Sequence, residues 1–439
     1  MKKKLKLISI CLISILCLTA CSKVNENLEV KALKKSVIPI STVEAGNGFE
    51  DLMPLKDILK DKKIVAMGEA THGTSEFFKM KHRFFEFLVE DMDYRVFAME
   101  CDGGGGQVIN DYILNDKGSL EEALEATKFA VWRTEEVEDM IKWMKEYNDE
   151  PSHKEKIRFY GFDMQGITDT LPRLSFYLDS IDKEVKTYVE EMIQPLYKDQ
   201  MNIKNYSTQE MKNLKTQLNE VKVKLQVNKE KYIADNLKSS YEMALWNLDL
   251  VIQFIDYYYT SNGIESITIS NSNLRDKYMA DNVKWIQEHE KEQGNDTIML
   301  WAHNLHVSHI DEEYIYMGKR LKDKYEDEYY SIGFEFSRGD FTSHGESSGI
   351  YEAFHIDNND PNYLCYSFDK TKIPISFLDF KSASTNNVVS EFLSNRQYIH
   401  VFGDNYLGSE VSHSFMYSPR NLFDGLIYIK ETTESKLVD

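Results

Sequence analysis

Ile64-Val65-Ala66-Met67-Gly68-Glu69-Ala70-Thr71-His72-Gly73 is the stretch from which the fold is read. Four consecutive apolar residues, opened by two β-branched ones, suit a short strand buried on both faces. Gly68 and Gly73 allow a sharp turn after it. The turn carries Glu69 and His72, two ionisable groups placed where a buried strand ends. Five more runs have this form: Arg95–Met99, Ile157–Phe162, Thr297–Ala302, Tyr329–Phe334 and Tyr398–Phe402. A seventh, Leu426–Lys430, comes late. Helical patterns separate several of them, which predicts an α/β layered fold with a mostly parallel sheet.

Ionisable residues follow each of the six runs. They are Glu69 and His72, then Glu100 and Asp102, then Asp163, then His303 and His306, then Glu335 and Arg338, then Asp404. Ligands of open α/β sheets bind at the carboxyl ends of the strands. If the strands are parallel, these groups converge on one crevice, the expected position of a functional site.

The composition sets wider limits. The 439 residues carry a net charge of −20, with 42% apolar and 28% charged residues. That is ordinary globular composition and excludes a disordered or fibrous chain. The acidic balance argues against a nucleic-acid partner, since no basic patch offsets it. The start, MKKKLKLISICLISILCLTACSKVN, is a targeting segment. Lys2, Lys3, Lys4 and Lys6 precede an apolar stretch from Ile8 to Leu18, too short for a spanning helix. Leu18-Thr19-Ala20-Cys21 resembles a bacterial lipoprotein signal, with cleavage before Cys21 and lipid on its thiol. The expected organisation is a signal peptide over 1–20, a tether over 21–46, a first part of the α/β core over 47–170, a helical insertion over 171–262 and a second part of the core over 263–439. The body is expected outside the cytoplasm, held at a membrane surface by its lipid. After cleavage and lipidation only Cys101 and Cys365 remain, so at most one internal disulfide is possible.

Within the insertion, Ser207-Thr208-Gln209-Glu210 is a capping box. It opens a helix with Met211, Leu214, Leu218, Val221 and Leu225 on one face. Tyr241 to Tyr259 is a second helical stretch. The pair reads as a hairpin over the crevice. Gly103-Gly104-Gly105-Gly106 reads as a flexible turn, or as backbone N–H groups brought near a substrate oxygen.

The chemistry is acid–base in type. A carboxylate three residues before an imidazole orients the ring, so Glu69 and His72 form a candidate general base for water. His303 and His306 supply either a partial zinc ligand set or groups that position substrate and stabilise an oxyanion. Arg275, beside Asp276 on a predicted helix from Asn273 to Gln287, is a carboxylate clamp, an oxyanion donor or a structural ion pair. Gly345-Glu346-Ser347-Ser348-Gly349 has the serine-hydrolase spacing but lacks the strand before and helix after that the motif requires. Cys101, beside Glu100, is a poor nucleophile because the carboxylate raises its pKa. His309 reads as a surface or loop residue.

These residues resemble the erythromycin esterase family. The resemblance rests on Gly-Glu-Ala-Thr-His-Gly at 68–73 followed by Ser75-Glu76-Phe77-Phe78, and on Ala98-Met99-Glu100. It continues through Val131-Trp132-Arg133, Tyr160-Gly161-Phe162-Asp163-Met164-Gln165, Arg275-Asp276 and Trp301-Ala302-His303-Asn304, in order, from about residue 50 to 430. It implies a three-layer α/β/α core with a helical subdomain and a small α+β part. It also implies hydrolysis of an ester or macrolide-type lactone by activated water, with no Ser nucleophile. Carried over by motif, His72 is the general base, and Glu69 and Glu100 orient and charge-stabilise it. His303, Arg275 and His306 stabilise the oxyanion and line the site, and Asp163 and Arg338 are taken as further substrate contacts. No cofactor is implied, and a divalent metal stays open. The partners expected are a small-molecule ester or macrolide and, through the lipid, a membrane. The lipoprotein leader departs from cytoplasmic resistance enzymes, so antibiotic resistance is one outcome among several. The wider superfamily also leaves open a membrane-anchored haem- or metal-binding lipoprotein.

Overall fold

The structure is a computed structural model and describes residues 28–438 except 235–237, 261–268 and 313. The signal peptide and Cys21 therefore lie outside the described residues. Twelve strands occur among the described residues: β1 (Ile38–Pro39), β2 (Ile64–Met67), β3 (Val96–Asp102), β4 (Arg158–Asp163), β5 (Ile298–Trp301), β6 (Tyr329–Gly345), β7 (Tyr351–Asp357), β8 (Ile375–Asp379), β9 (Gln397–His400), β10 (Asn405–Tyr406), β11 (Ser414–Tyr417) and β12 (Gly425–Thr432).

The main sheet runs β1-β8-β12-β6-β2-β5-β3-β4, with β7 and β10 added on β6. Every pair from β12 to β4 is parallel, and β1, β7 and β8 are antiparallel additions. The late strand β5 lies between β2 and β3, so the ends of β2, β5, β3 and β4 stand side by side. Alternate residues of β2 enter two separate cores, Val65 and Met67 on one face and Ile64 and Ala66 on the other. The helix Ser75–Met92 covers the first face with Phe77, Phe78, Phe84 and Phe85. The helix Ile269–Lys291 covers the second with Met279, Val283 and Ile286. Two covered faces explain why the strands read as continuous apolar runs, and the architecture is the expected α/β/α.

Between β4 and Ile269 the described elements are all helical. They bury an apolar cluster of their own, which includes the predicted face Met211, Leu214, Leu218, Val221 and Leu225. Ser207 and Glu210 make the reciprocal cap.

Three expectations are corrected. The run Tyr398–Phe402 gives β9, but β9 pairs only with β11, in a separate two-stranded ribbon. Both flanks of β6 are already filled by β2 and β12, and Gln397 and Tyr398 are only partly buried. Residues 28–46 are not a tether. Residues 28–36 are helical, β1 pairs with β8, and Leu33, Val37, Ile40 and Val43 are buried.

The glycine run is not a turn but the first turn of the helix Gly103–Asn115. A Cβ on Gly104 would lie 2.3 Å from the Thr170 nitrogen, on Gly105 2.0 Å from the Ala126 oxygen, and on Gly106 1.9 Å from the Gly161 nitrogen. The missing side chains let the helix sit directly on β4 and the neighbouring loops. All these contacts are with rigid backbone, so Gly106→Ala is expected to destabilise the fold by about 3 kcal/mol, as overpacking does. A denaturant titration with an unchanged midpoint would contradict this packing.

Candidate functional site

The site is assembled where β2, β5, β3 and β4 end. After β2 the chain turns at Gly68, where a Cβ would strike Asn304 Oδ1 at 2.2 Å. Asn304 bonds the Phe334 backbone through both amide atoms, at 2.8 and 3.0 Å, and its N–H donates to the Glu69 carbonyl at 2.9 Å. The loops after β2 and β5 are thereby fixed to each other and to β6.

Glu69 is fully buried and serves three partners. Oε1 meets His72 Nδ1 at 2.7 Å, while Oε2 accepts from Trp301 Nε1 at 2.9 Å and from the Lys81 ammonium. Lys81 has no exposed side-chain surface and lies 4.3 Å from the Trp301 ring centre. Burial pulls the Lys81 pKa down to about 8, against the opposing pull of Glu69. The His72 ring stands edge-on to Trp132 at 5.1 Å and beside His303 at 5.0 Å. Its Nδ1 is fixed by Glu69, and its Nε2 has no hydrogen-bond partner among the described residues.

Glu100 is delivered by a β-bulge, in which the register of β3 on β4 shifts between Met99 and Asp102. Its Oε1 accepts from Arg275 Nη2 at 2.7 Å and lies 3.3 Å from His306 Nε2, and its Oε2 accepts from the His303 backbone at 2.9 Å. Burial pushes its pKa up, but His306, Arg275 and His72 outweigh this and hold it well below the usual carboxylate range. Asp163 takes the other side of Arg275, accepting from Nε at 3.1 Å and Nη2 at 2.6 Å. Asp102 next to it is pushed well up by burial and by the Asp163 charge. The Cys101 thiol is pushed well up by burial and the same acids, and both Cys101 and Cys365 are free and buried.

The two histidines after β5 are not equivalent. His303 caps a short helix, with Nδ1 accepting from the Leu305 N–H at 3.3 Å and Nε2 facing the Phe402 carbonyl at 3.1 Å. Burial, with His72 and His306 adding to it, drives its pKa well down. It is a neutral ring with both nitrogens engaged.

His306 lies between Asp276 Oδ1, 2.8 Å from Nδ1, and Glu100 Oε1. Burial lowers its pKa, but Asp276 and Glu100 prevail and raise it to about 10. Charged, it points both N–H groups at carboxylates. Its 3.1 Å contact with Arg275 Nη1 is then between like charges, compensated by the surrounding acids. A metal on this pair would have to displace these partners.

A cavity of about 490 Å³ opens on this cluster, lined by Arg275, His303 and His306 and walled by Tyr257, Tyr316 and Tyr417. The buried His306 charge carries a pH signature. A pKa raised in the folded state stabilises fully below the unfolded value of 6.5, and the contribution is lost as pH rises through about 10. Unfolding free energy is therefore expected to fall between these values, and His306→Asn to flatten that slope. Parallel wild-type and variant curves in a pH series of denaturant titrations would contradict the charged assignment.

The other predicted groups lie elsewhere. Arg338 does not reach the cluster. It sits farther along β6, with Asp369 at 3.0 Å and Asp357 at 3.8 Å, because β6 continues well past the strand ends that form the site. Glu335 pairs with His400, and Asp404 accepts from the Tyr351 hydroxyl at 2.6 Å. Ser347 is exposed in the turn between β6 and β7. His309 is a loop residue, as expected, but not a surface one; it is largely buried against Ser331 Oγ at 3.0 Å and Asp424 at 3.3 Å.

Sequence reasoning misses Lys81 and gives Asp276 no role of its own. Lys81 had a legible signal, since it interrupts the apolar stripe Phe77, Phe78, Phe84, Phe85 of its helix, where only a paired lysine is tolerated.

Residues 89–432 match the sequence model of the family described as Erythromycin esterase. The chain is 26% identical to the erythromycin esterase type II of Escherichia coli, over 92% of this chain and 98% of that protein. A Bacillus cereus protein of solved structure superposes with a TM-score of 0.85 at 25% identity, over 94% of this chain and 99% of that one. A solved succinoglycan biosynthesis protein gives a TM-score of 0.81 at 26% identity, with the same coverage.

Proposed function

This chain belongs to the erythromycin esterase family and is an esterase-type hydrolase, and from that premise we propose that it opens an ester or macrolide-type lactone with water activated by His72 and Glu69, without a serine nucleophile. The observation that carries the reading is the 2.7 Å contact between His72 Nδ1 and a Glu69 that Lys81 and Trp301 hold from behind. This contact fixes the tautomer with its proton on Nδ1 and leaves Nε2 as the base.

Water gives a proton to Nε2 as its oxygen attacks the carbonyl carbon. The resulting oxyanion lies in the field of Arg275 and His306, held at this end of the sheet by Asp163, Glu100 and Asp276. On collapse the carbon–oxygen bond to the leaving alcohol breaks, and imidazolium His72 returns the proton to that oxygen. The products are an acid and an alcohol, joined in one molecule when a lactone is opened. Neutral His303 acts as a wall that spaces His72 from charged His306. Mass spectrometry of macrolides and simple esters incubated with the protein tests the activity, the expected result being addition of one water. A parallel incubation with chelator tests for a metal.

We further propose that the enzyme is anchored outside the cytoplasm by lipid on Cys21, on the strength of Leu18-Thr19-Ala20-Cys21 behind a lysine-led apolar stretch. Cys21→Ser is expected to move the protein from the membrane fraction to the soluble one. Unchanged fractionation of that variant would remove the anchor.

A further inference from the structure

Glu335, which the sequence places after a buried strand like the catalytic acids, belongs to a second cluster that the catalytic chemistry does not use. Among the described residues, Glu335, Cys365 and His400 are the set of three metal-ligating side chains whose donor atoms all lie within 4.8 Å of one another. They come from three elements: β6, the first turn of the helix Leu364–Thr371, and the end of β9. Glu335 is 1% exposed and the other two are fully buried.

The donor chemistry points to one class of ion. Thiolate, imidazole and carboxylate together suit zinc, whereas magnesium and calcium prefer oxygen alone. The Cys365 thiol is free, so no disulfide competes for it.

The supporting bonds have the form of a metal site's outer shell. His400 turns Nδ1 to Glu335 Oε1. Its Nε2 meets Glu410 Oε1 at 2.9 Å, and Asn358 Nδ2 donates to that same oxygen. A ligating histidine almost always gives its other N–H to an outer acceptor of this kind, which fixes the ring. Glu335 is aimed by backbone: Oε1 accepts from the Phe336 N–H at 3.0 Å and Oε2 from the His400 N–H at 3.1 Å. The rings of Tyr363, Phe336 and Phe402 stand 5.1, 5.3 and 5.3 Å from the His400 ring and keep the cluster apolar around its ligands. The catalytic histidines lack this setting. Arg275 stands 3.1 Å from His306, and His303 faces backbone with both nitrogens. No lysine or arginine pairs with Glu335, His400 or Glu410 among the described residues.

We propose that Glu335, Cys365 Sγ and His400 Nδ1 bind one zinc ion, with Glu410 as the outer carboxylate. On binding, His400 gives up its Nδ1 proton and Cys365 its thiol proton. Two protons leave as one divalent ion enters, so the charge of the cluster is unchanged. A site this closed is structural rather than catalytic. The ion ties β6 to the β9–β11 ribbon, which makes no strand pairing with the main sheet. Two residues beyond His400, the Phe402 carbonyl faces His303 Nε2 at 3.1 Å, so the ion steadies one wall of the crevice from behind.

The test strips the full chain with chelator and titrates it with zinc under native mass spectrometry. The expected result is uptake of one zinc ion per chain, kept in His306→Asn and lost in Cys365→Ser. Cobalt in place of zinc should give a near-ultraviolet thiolate charge-transfer band, present in Cys101→Ser and absent in Cys365→Ser. Glu410→Gln should bind the ion about 10–100-fold more weakly, the usual cost of losing an outer partner. Zinc should raise the melting temperature of the wild type and leave that of Cys365→Ser where it was. Should Cys365→Ser fail to fold, the cobalt band of Cys101→Ser decides alone, and its absence overturns the site. A stripped, folded wild-type chain that takes up no zinc also overturns it. So does an ion that Cys365→Ser retains or that His306→Asn loses, since either places the metal elsewhere.

Discussion

Replacing His72 with alanine is expected to lower kcat by about 10³-fold, within the range that general acid–base catalysis contributes. KM and thermal stability should change little. The expectation follows from how the pair is built. His72 is reached by solvent and touches Trp132 and His303 by ring contacts alone. Glu69 keeps Lys81 and Trp301 when the imidazole is gone, so no buried charge is left unpaired. Activity and stability are therefore separable at this position. Added imidazole should restore part of the rate, because removing the ring leaves a solvent-reached gap between Trp132 and His303. A variant with near-normal kcat would remove His72 as the base, and one that fails to fold would show that the ring carries structure.

The contrasting case is Glu69→Ala, which is expected to lose activity and also about 3–5 kcal/mol of stability, the cost of breaking a buried ion pair. Lys81 would be left fully buried with no carboxylate on it. Glu69 now raises the Lys81 pKa against burial, so removing it should lower that pKa further. A group whose folded pKa lies below its unfolded value costs stability while it must stay charged. That cost fades as pH rises toward the ordinary lysine value. The part of the Glu69→Ala deficit that this shift carries should thus be full below the lowered Lys81 pKa and be lost as pH rises through about 8. Adding Lys81→Met should return part of the stability and none of the activity. Denaturant titrations and initial rates on the same preparations check both halves. A variant as stable as wild type would mean that Lys81 finds another partner.

What could be read from the sequence depended on whether the cause was local. The strand Ile64–Met67 was found to the residue because four apolar side chains between polar flanks are a local signal. The ends of β2 to β5 carried their ionisable groups into one cluster because parallel pairing does so for any such strands. Tyr398–Phe402 had the same local signal and a different place, since the positions beside β6 were already taken. The four glycines were misread as freedom when they mark close packing, a fact that resides in Thr170, Ala126 and Gly161. Arg338 was grouped with the site because β6 was expected to end where its neighbours do, whereas it runs on to Gly345. The segment 21–46 reads as a tether because the short helix and two-residue strand within its described part leave little periodicity, and only pairing with β8 reveals them. Roles within the cluster were the least legible. That His303 is neutral and His306 charged follows from a backbone carbonyl at Phe402 and a carboxylate at Asp276, neither of which the spacing of the two histidines can disclose.

The central claim, direct attack by water that His72 activates, is tested most directly by intact-protein mass spectrometry on reactions quenched during the first turnovers of a substrate found in the panel. The account predicts unmodified protein at every time point while the product gains one water, and no product with His72→Ala. A protein mass increased by the acyl group, formed and lost at the rate of turnover, would contradict it and place a covalent nucleophile in the crevice.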